Sequence, residues 1–453
     1  MFLFSIKGLS EMLGKDSYYS SIKKEDNKLL FIDKCNWLIT SVYRSNFANE
    51  QDASYFQNLH SDQLKRVLGG RYYKQIINSL SGIGLIAINE KYSLKRFSKS
   101  FAITYKSIEL GIEKVEVKTK RFNSTINNLT RSEFDSISED DLIKKVLVNT
   151  AKLYLVKDFG NYMAKILPTV KVNKPIDHID LLDLWLDKVN TFKVDRYSSY
   201  FDSFLELNNH SDPYEIFKLP VFFKPKIADS GRVYHIGAAV PKHIRECFTT
   251  KGGDPIYEVD MSSAQPSILF LEWMRFVKSK EKINKTSQNE FKLCRELFLT
   301  GSIYSYVKEN SGYYSKYSST EEYPKLKKEI LTSLNGNNDK APFVRALVDL
   351  FPEFMGWIKE IKDAKGYQAI SHIGQKAEAN IFVKVFQQLP DNIFSLIIHD
   401  CILTTENNTL MVRQLLVNRL RELYGDIIPA ENNLDKVFKI SRVTLKRYGN
   451  KII

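Results

Sequence analysis

From residue 61 the chain places apolar residues with the period of a helix. Leu64, Val67 and Leu68 recur behind Ser61, which reads as an N-cap, and Gly69-Gly70 stops the run. A second run sets Tyr72, Ile76, Ile77 and Leu80 at helical spacing. Two strand-like stretches follow, around Leu85 to Ile88 and Ser100 to Thr104, joined by a Lys/Arg-rich connection containing Lys95 and Arg96. Helix, turn, helix and basic hairpin is the outline of a winged helix, with the second helix in a groove and the hairpin on phosphates. An ordinary α+β subdomain with a solvated basic face has the same outline. Residues 1 to 50 read as mixed short elements. Residues 107 to 150 read as a polar surface connection entering a helix, and residues 141 to 209 as predominantly helical.

From residue 216 onward the pattern is that of a mixed α/β unit. In IYEVDMSSAQPSILFLEW, residues 256 to 273, Ile256 and Val259 suit a buried strand. Pro266 suits the first position of a helix whose core face uses Ile268, Leu269 and Trp273, capped by Ser262 or Ser263. Asp260 then lies at the C-terminal end of a strand, where α/β sheets place ligands. In NIFSLIIHDCILTTE, residues 392 to 406, two apolar strands flank a two-residue tip, His399-Asp400. Such tips normally carry Asn-Gly or Asp-Gly to supply positive φ. His-Asp there gives up turn chemistry for another purpose.

Composition narrows the class. The 453 residues are 43% hydrophobic and 12% aromatic, enough for two to four domains with real cores. A formal net charge of +13 points to an anionic partner, nucleic acid first, although a Lys-rich surface alone produces the same excess. Cys35, Cys247, Cys294 and Cys401 form no CxxC pair, which argues against a disulfide framework or structural zinc and suits a reducing cytoplasm. No apolar run approaches the roughly 20 residues of a membrane-spanning helix, so no membrane is expected. The start, MFLFSIKGLSEMLGKD, lacks the features of a signal peptide. No GxxxxGK[ST] phosphate loop and no HExxH spacing occurs, which counts against an ATPase and a zinc hydrolase.

Two aspartates on adjacent strand ends can share a pair of Mg²⁺ ions roughly 4 Å apart, activating an attacking oxygen and stabilising a leaving pyrophosphate. Hard cations of this kind prefer carboxylate oxygens and also bind substrate phosphates.

The ordered set of motifs resembles the polymerase portion of the family-A nucleic-acid polymerases, the group of bacterial DNA polymerase I and the phage-type single-subunit RNA polymerases. DMSSAQPSIL is similar to the family's Asp-Tyr-Ser-x-x-Glu-x-Arg-Ile-Leu, and IIHDC to its apolar-His-Asp-Glu. The resemblance makes Asp260 and Asp400 the metal-binding aspartates, holding two Mg²⁺ ions for which Mn²⁺ can substitute. SGRVYH resembles a Thr-Gly-Arg segment that contacts primer-template, implying Arg232. IRECF resembles a run just ahead of the first motif and contains Arg245. ELFLTGSIYSYV and LFPEFMGWIKEIKDAKGY have counterparts in the same order. IGQKAEANIF resembles Gln-Gly-Thr-Ala-Ala-Asp-Ile, implying Gln375 as a template or primer contact. His399 beside Asp400 joins the nucleic-acid contacts, and a contact is open to His235; Lys95 and Arg96 are candidates on the basic hairpin.

The resemblance spans about residues 225 to 410 and has departures. The family's fingers helix reads Arg-x-x-x-Lys-x-x-x-aromatic-x-x-x-Tyr-Gly. YPKLKKEILTSLNGNN, anchored on Gly336, makes Lys327 the phosphate lysine, with Leu331 at the aromatic position and Asn335 at the tyrosine. Tyr323 stands at the arginine position, for which Lys325 or Lys328 can substitute across one turn. Gln265 replaces a glutamate that excludes the ribose 2′-hydroxyl, Ser267 an arginine, and Cys401 a Glu or Ser. No Asp-x-Glu of a proofreading exonuclease occurs in the first 210 residues.

The expected fold is α+β: a right-hand polymerase with palm, fingers and thumb-like helices behind an N-terminal winged-helix-like unit. The expected division is residues 1–120 for that basic unit, 121–215 for a thumb-like region, 216–300 for the first part of the palm, 301–370 for fingers and 371–453 for the rest of the palm. The expected activity is template-dependent nucleotidyl transfer, a DNA polymerase for phage or plasmid replication or priming. Its partners would be a DNA template/primer duplex and nucleoside triphosphates. A primase-like or single-subunit RNA polymerase, and a DNA-binding replication initiator that has lost catalysis, are the alternatives.

Overall fold

The computed structural model describes residues 2–48, 57–89, 99–137, 141–155, 204, 207–218, 225–240, 245–280, 284–312, 322–337, 342–434 and 436–443. The chain divides into two compact units, Met1–Lys224 and Pro225–Ile453. Each is helix-rich and carries small sheets, an α+β composition.

In the first unit, strand Phe2–Ile6 pairs antiparallel with Ile112–Glu116, and a 24-residue helix, Glu25–Ala48, packs on it. That helix overturns the expectation of short elements over residues 1 to 50. One face carries Phe31, Cys35, Leu38, Ile39 and Val42 at helical spacing, and a second side bearing Asp33, Asn36 and Thr40 is buried as well. A helix covered on two sides, one of them polar, lacks the apolar-against-solvated contrast by which an amphipathic helix is recognised. Asp33 accepts from the Lys118 amide at 3.0 Å, the Thr119 amide at 2.8 Å and the Thr119 hydroxyl at 2.6 Å. The carboxylate thereby ties the long helix to the segment entering helix Lys120–Ile137. The supposed surface connection over 107 to 150 is likewise structured, with Phe122, Ile126 and Phe134 of that helix buried and a further helix at Asp141–Ala151.

Helices Ser61–Leu68 and Tyr73–Gly82 form where the spacing predicts them. Strands Ile86–Asn89 and Ser100–Ile103 pair antiparallel behind them. The cap of the first helix is His60 rather than Ser61, its Nδ1 accepting from the Asp62 amide at 3.4 Å. Lys95 and Arg96 lie outside the described residues, as do residues 156–203 of the stretch expected to be helical.

The second unit is built on a four-stranded sheet. Its order is Ser395–Ile398, Cys401–Thr405, Ile256–Met261, Phe438–Arg442, and every neighbour is antiparallel. The parallel-sheet argument for a ligand at Asp260 therefore does not apply; antiparallel register places that residue. Directly opposed residues share a face, so Asp260 and Glu258 project with Cys401, Leu403, Lys439 and Ser441. The opposite face, with Val259, Ile402 and Ile397 buried, lies toward helices Gln368–Gln388 and Thr409–Tyr424. Helix Ala264–Lys278 begins two residues earlier than Pro266, which takes the third position, still within the turn whose amides need no intrahelical acceptor. Ser263 is at its cap but makes no side-chain capping bond, and Ser262 instead donates its hydroxyl to the Lys436 carbonyl at 2.9 Å.

Candidate active site

Asp260 is the penultimate residue of its strand, and Cys401 lies directly across the ladder. The residue before Cys401 is Asp400, and the Met261 amide donates to the Asp400 carbonyl at 3.3 Å. Two aspartates 140 positions apart in sequence are thus set side by side by strand register. Burial, then the charges of Asp400 and Glu258, push the Asp260 carboxyl up to about 7, against the opposing pull of Lys327 and Lys439. The costs of desolvation and of a neighbouring like charge are the two physical causes of such a rise.

The backbone is unusual at the same place. Among the described residues only two non-glycine residues have positive φ, Ser263 at 52° and His399 at 51°. One lies three residues after Asp260, the other immediately before Asp400. Left-handed backbone outside glycine costs of order 1 kcal/mol or more and collects where geometry serves function. His399 supplies the positive φ that a glycine would normally bring to a two-residue tip.

Lys327 and Lys328 are exposed on helix Glu322–Asn335, whose Leu326, Ile330 and Leu334 are buried. Those apolar residues orient the helix, and Lys327 is the member of the lysine run whose charge acts on Asp260. Leu331 and Asn335 follow Lys327 at four-residue intervals. Leu331 is half-buried, and Asn335 turns back on its own helix, its side-chain amide donating to the Leu331 carbonyl at 2.9 Å. The side chain of Tyr323 lies outside the described residues.

A short hairpin brings the cations. Strands Lys226–Ile227 and Val233–Tyr234 pair antiparallel, and between them Gly231 has φ 82°. A Cβ on Gly231 would come within 3.2 Å of the Ala379 Cβ, so the turn lies directly against helix Gln368–Gln388. From that turn Arg232 pairs with Glu378, the guanidinium Nη2 donating to Oε2. Burial pushes Glu378 up to about 7 against the hydrogen bond and charge of Arg232, and Asp400 adds to the rise. Burial, then the charges of Arg232 and Arg245, hold His399 below the usual imidazole range while Asp400 opposes them. The His399 ring meets the Tyr234 ring edge-on at 5.9 Å. Gln375 sits one turn before Glu378 and donates to the Ser371 hydroxyl at 3.1 Å. Gln265 approaches the same helix, its Cγ 3.9 Å from where a Gly374 Cβ would lie.

The structure therefore gathers Asp260, Asp400, Lys327, Arg232, Arg245 and His399 into one electrostatic neighbourhood, with Gln265 and Gln375 on adjoining helices. Two further groups, Glu378 and Lys439, were not foreseen. Glu378 carries a signal in sequence, an acid where the spacing from Gly374 to Phe382 calls for a core residue. Lys439 has none, because only register sets it opposite Asp260. His235 is excluded from ligand contact: it is 2% exposed, its Nε2 lies 2.6 Å from the Ile397 carbonyl, and burial lowers it to about 4. Ser267, at an arginine position of the resemblance, is buried and donates to the Ser262 carbonyl at 2.9 Å. All four cysteines are buried and none is in a disulfide.

Among the described residues no group of three or more His, Cys, Asp or Glu side chains is placed to hold a metal alone, and no helix is long and apolar enough to cross a membrane. Two mutually repelling carboxylates are nonetheless a suitable donor set for a hard divalent cation whose remaining positions are filled by phosphate oxygens and water.

No family model and no curated protein matches the chain. A solved structure described as the POL domain of Pol1 from M. smegmatis, in complex with DNA primer-template and dNTP, is similar at a TM-score of 0.40 and 12% identity. The match covers 89% of this chain and 81% of that one. At that degree of likeness the site stands on its own residues.

Proposed function

We propose that the chain is a template-dependent nucleotidyltransferase, a DNA polymerase serving phage or plasmid replication or priming. The observation that carries this reading is the Asp260–Asp400 pair, two aspartates crowded by register and flanked by strained backbone, with Lys327 acting on them. In this reading the second unit supplies palm and fingers. The first unit supplies a thumb-like region and a winged-helix-like, DNA-docking part, for which helices Ser61–Leu68 and Tyr73–Gly82 and their hairpin are the support.

Asp260 and Asp400 would hold two Mg²⁺ ions, with Mn²⁺ able to substitute. When bound, these ions supply charge neutralisation and activation of the attacking hydroxyl. Lys327 binds the β- and γ-phosphates of the incoming triphosphate, assisted by Lys328. Gln265, with Leu331 and Asn335 on the lysine stripe, bounds the nucleotide. Arg232, Arg245, Gln375 and His399 contact the primer-template, with Lys95 and Arg96 on DNA further out. Most of the rate then comes from alignment and from fixed charge, and no covalent nucleophile is needed.

Primer extension on a short DNA template, with dNTPs and rNTPs separately and in Mg²⁺ or Mn²⁺, tests the reading. Asp400→Ala is expected to reduce extension by on the order of a thousandfold. Preference for rNTPs would move the assignment to a primase-like or RNA polymerase. DNA binding without synthesis in any condition would make the protein an inactive initiator.

A further inference from the structure

Helix Tyr73–Gly82 of the first unit has two unlike sides. Ile76, Ile77 and Leu80 are buried, and the Ser79 hydroxyl donates to the Asp16 carboxylate at 3.0 Å, which fixes how the helix is turned about its axis. At about 100° per residue, the opposite side carries Arg71, just ahead of the helix, then Lys74, Gln75 and Asn78. Arg71, Lys74 and Asn78 are exposed, Gln75 is half-buried, and the stretch from 71 to 82 contains no acid. The turn before the helix is tied down as well. Lys34 donates to the Leu68 carbonyl at 2.6 Å and lies 5.1 Å from the centre of the Tyr72 ring. Behind the two helices, strand Gln57–Asn58 pairs antiparallel with Ser100–Phe101, so the hairpin gains a third strand. Helix Glu25–Ala48 packs on that sheet and on helix Tyr73–Gly82 alike. Residues 57 to 110 carry nine Lys and Arg against three Asp and Glu, nearly half of the chain's +13 excess.

We infer that this side of helix Tyr73–Gly82 reads base sequence in the major groove of double-stranded DNA, with Arg71, Lys74, Gln75 and Asn78 as the specificity-determining residues. The inference rests on the proposed DNA-docking role of the first unit, and it adds a task that nucleotidyl transfer does not require: choice of a sequence. Cations alone hold any duplex, because phosphates are the same everywhere. Gln75 and Asn78 add no charge. Their side-chain amides offer a paired donor and acceptor, which match the N6 and N7 edge of adenine, while Arg71 and Lys74 match O6 and N7 of guanine. All four lie at the start of the second helix of a helix–turn–helix, the part that meets base edges when such a helix enters a groove. B-form DNA is the partner favoured, since the major groove of duplex RNA is too deep and narrow to be read this way.

The test is selection by the full chain from duplex DNA with a randomised central segment, then fluorescence anisotropy on the selected duplex and on a scrambled one of the same composition. A short motif containing both A·T and G·C pairs is expected, bound about tenfold or more tighter than its scrambled form. Asn78→Ala alters an exposed position on a helix surface, and thermal unfolding checks that its fold is kept. It is expected to lose most of the preference while binding the scrambled duplex within about twofold of wild type, because it removes no charge. Lys74→Ala, which does remove a charge, is expected to weaken both, the selected duplex more. Wild type that enriches no motif, or binds both duplexes equally, overturns the inference and leaves a solvated basic face. A preference unchanged in both variants overturns it too, as does tighter binding to single-stranded DNA or to duplex RNA of the same sequence. Extension of a primed template without an enriched motif overturns this inference alone. An enriched motif without extension supports it and counts against the polymerase reading.

Discussion

Two carboxylates, one in each unit, show how differently the same group is treated. Asp33 in the N-terminal unit is completely buried and receives three donors, two backbone amides and a hydroxyl. Asp260 in the C-terminal unit is only part-buried, faces Asp400 and Glu258, and sits near cations that do not offset the cost. Glu290, also in the C-terminal unit, resembles Asp33: it accepts from the Glu353 and Phe354 amides at 2.9 and 2.8 Å and so caps helix Pro352–Lys365. A carboxylate saturated by fixed donors holds a fold together. One crowded by a like-charged neighbour costs the fold stability, which is the arrangement the proposed metal site would use.

Three measurements would break or sharpen this contrast. Asp33→Ala takes the acceptor away from three donors and is expected to cost about 4 kcal/mol in denaturant unfolding. An unchanged midpoint would show that the tie between the long helix and residues 118 and 119 contributes nothing. Asp260→Asn should act in the opposite direction, stabilising the metal-free protein by up to about 4 kcal/mol at pH 8. The sign follows from a folded pKa of about 7, above the ordinary carboxylate value of 3.8. Between those values the folded state holds more protons than the unfolded chain, so wild-type stability falls as pH rises through this window. Below about pH 4 the variant and wild type should converge, and a gain that persists there would refute the electrostatic cause. Glu290→Gln, which keeps an acceptor at the helix terminus but loses the charge, should cost only about 1 kcal/mol. A loss as large as that at Asp33 would mean that its charge, too, is held chiefly by those amides.

The contrast also separates what could be read along the chain from what could not. Helices with unbroken apolar stripes, such as Ser61–Leu68 and Tyr73–Gly82, and the His399-Asp400 hairpin lie where pattern places them. Helix Glu25–Ala48 escaped because a second side bearing Asp33, Asn36 and Thr40 is also buried, and the donors to Asp33 come from up to 86 residues away. The same holds at the site. Asp260, Asp400, Lys327 and Arg232 stand in recognisable local contexts. Glu378 and Lys439 acquire meaning only from a tertiary ion pair and a strand register. Local chemistry is legible in sequence; pairing between distant segments is not.

That register has a consequence in time. The central strand Ile256–Met261 is completed on one side by residues 401–405 and on the other by residues 438–442. During synthesis it must therefore wait for more than a hundred further residues before either neighbour exists. Its closure bears the entropy of a long loop and belongs among the slow, non-local steps of folding. Until then a strand with one apolar face has both edges open, the condition under which nascent chains aggregate or recruit chaperones.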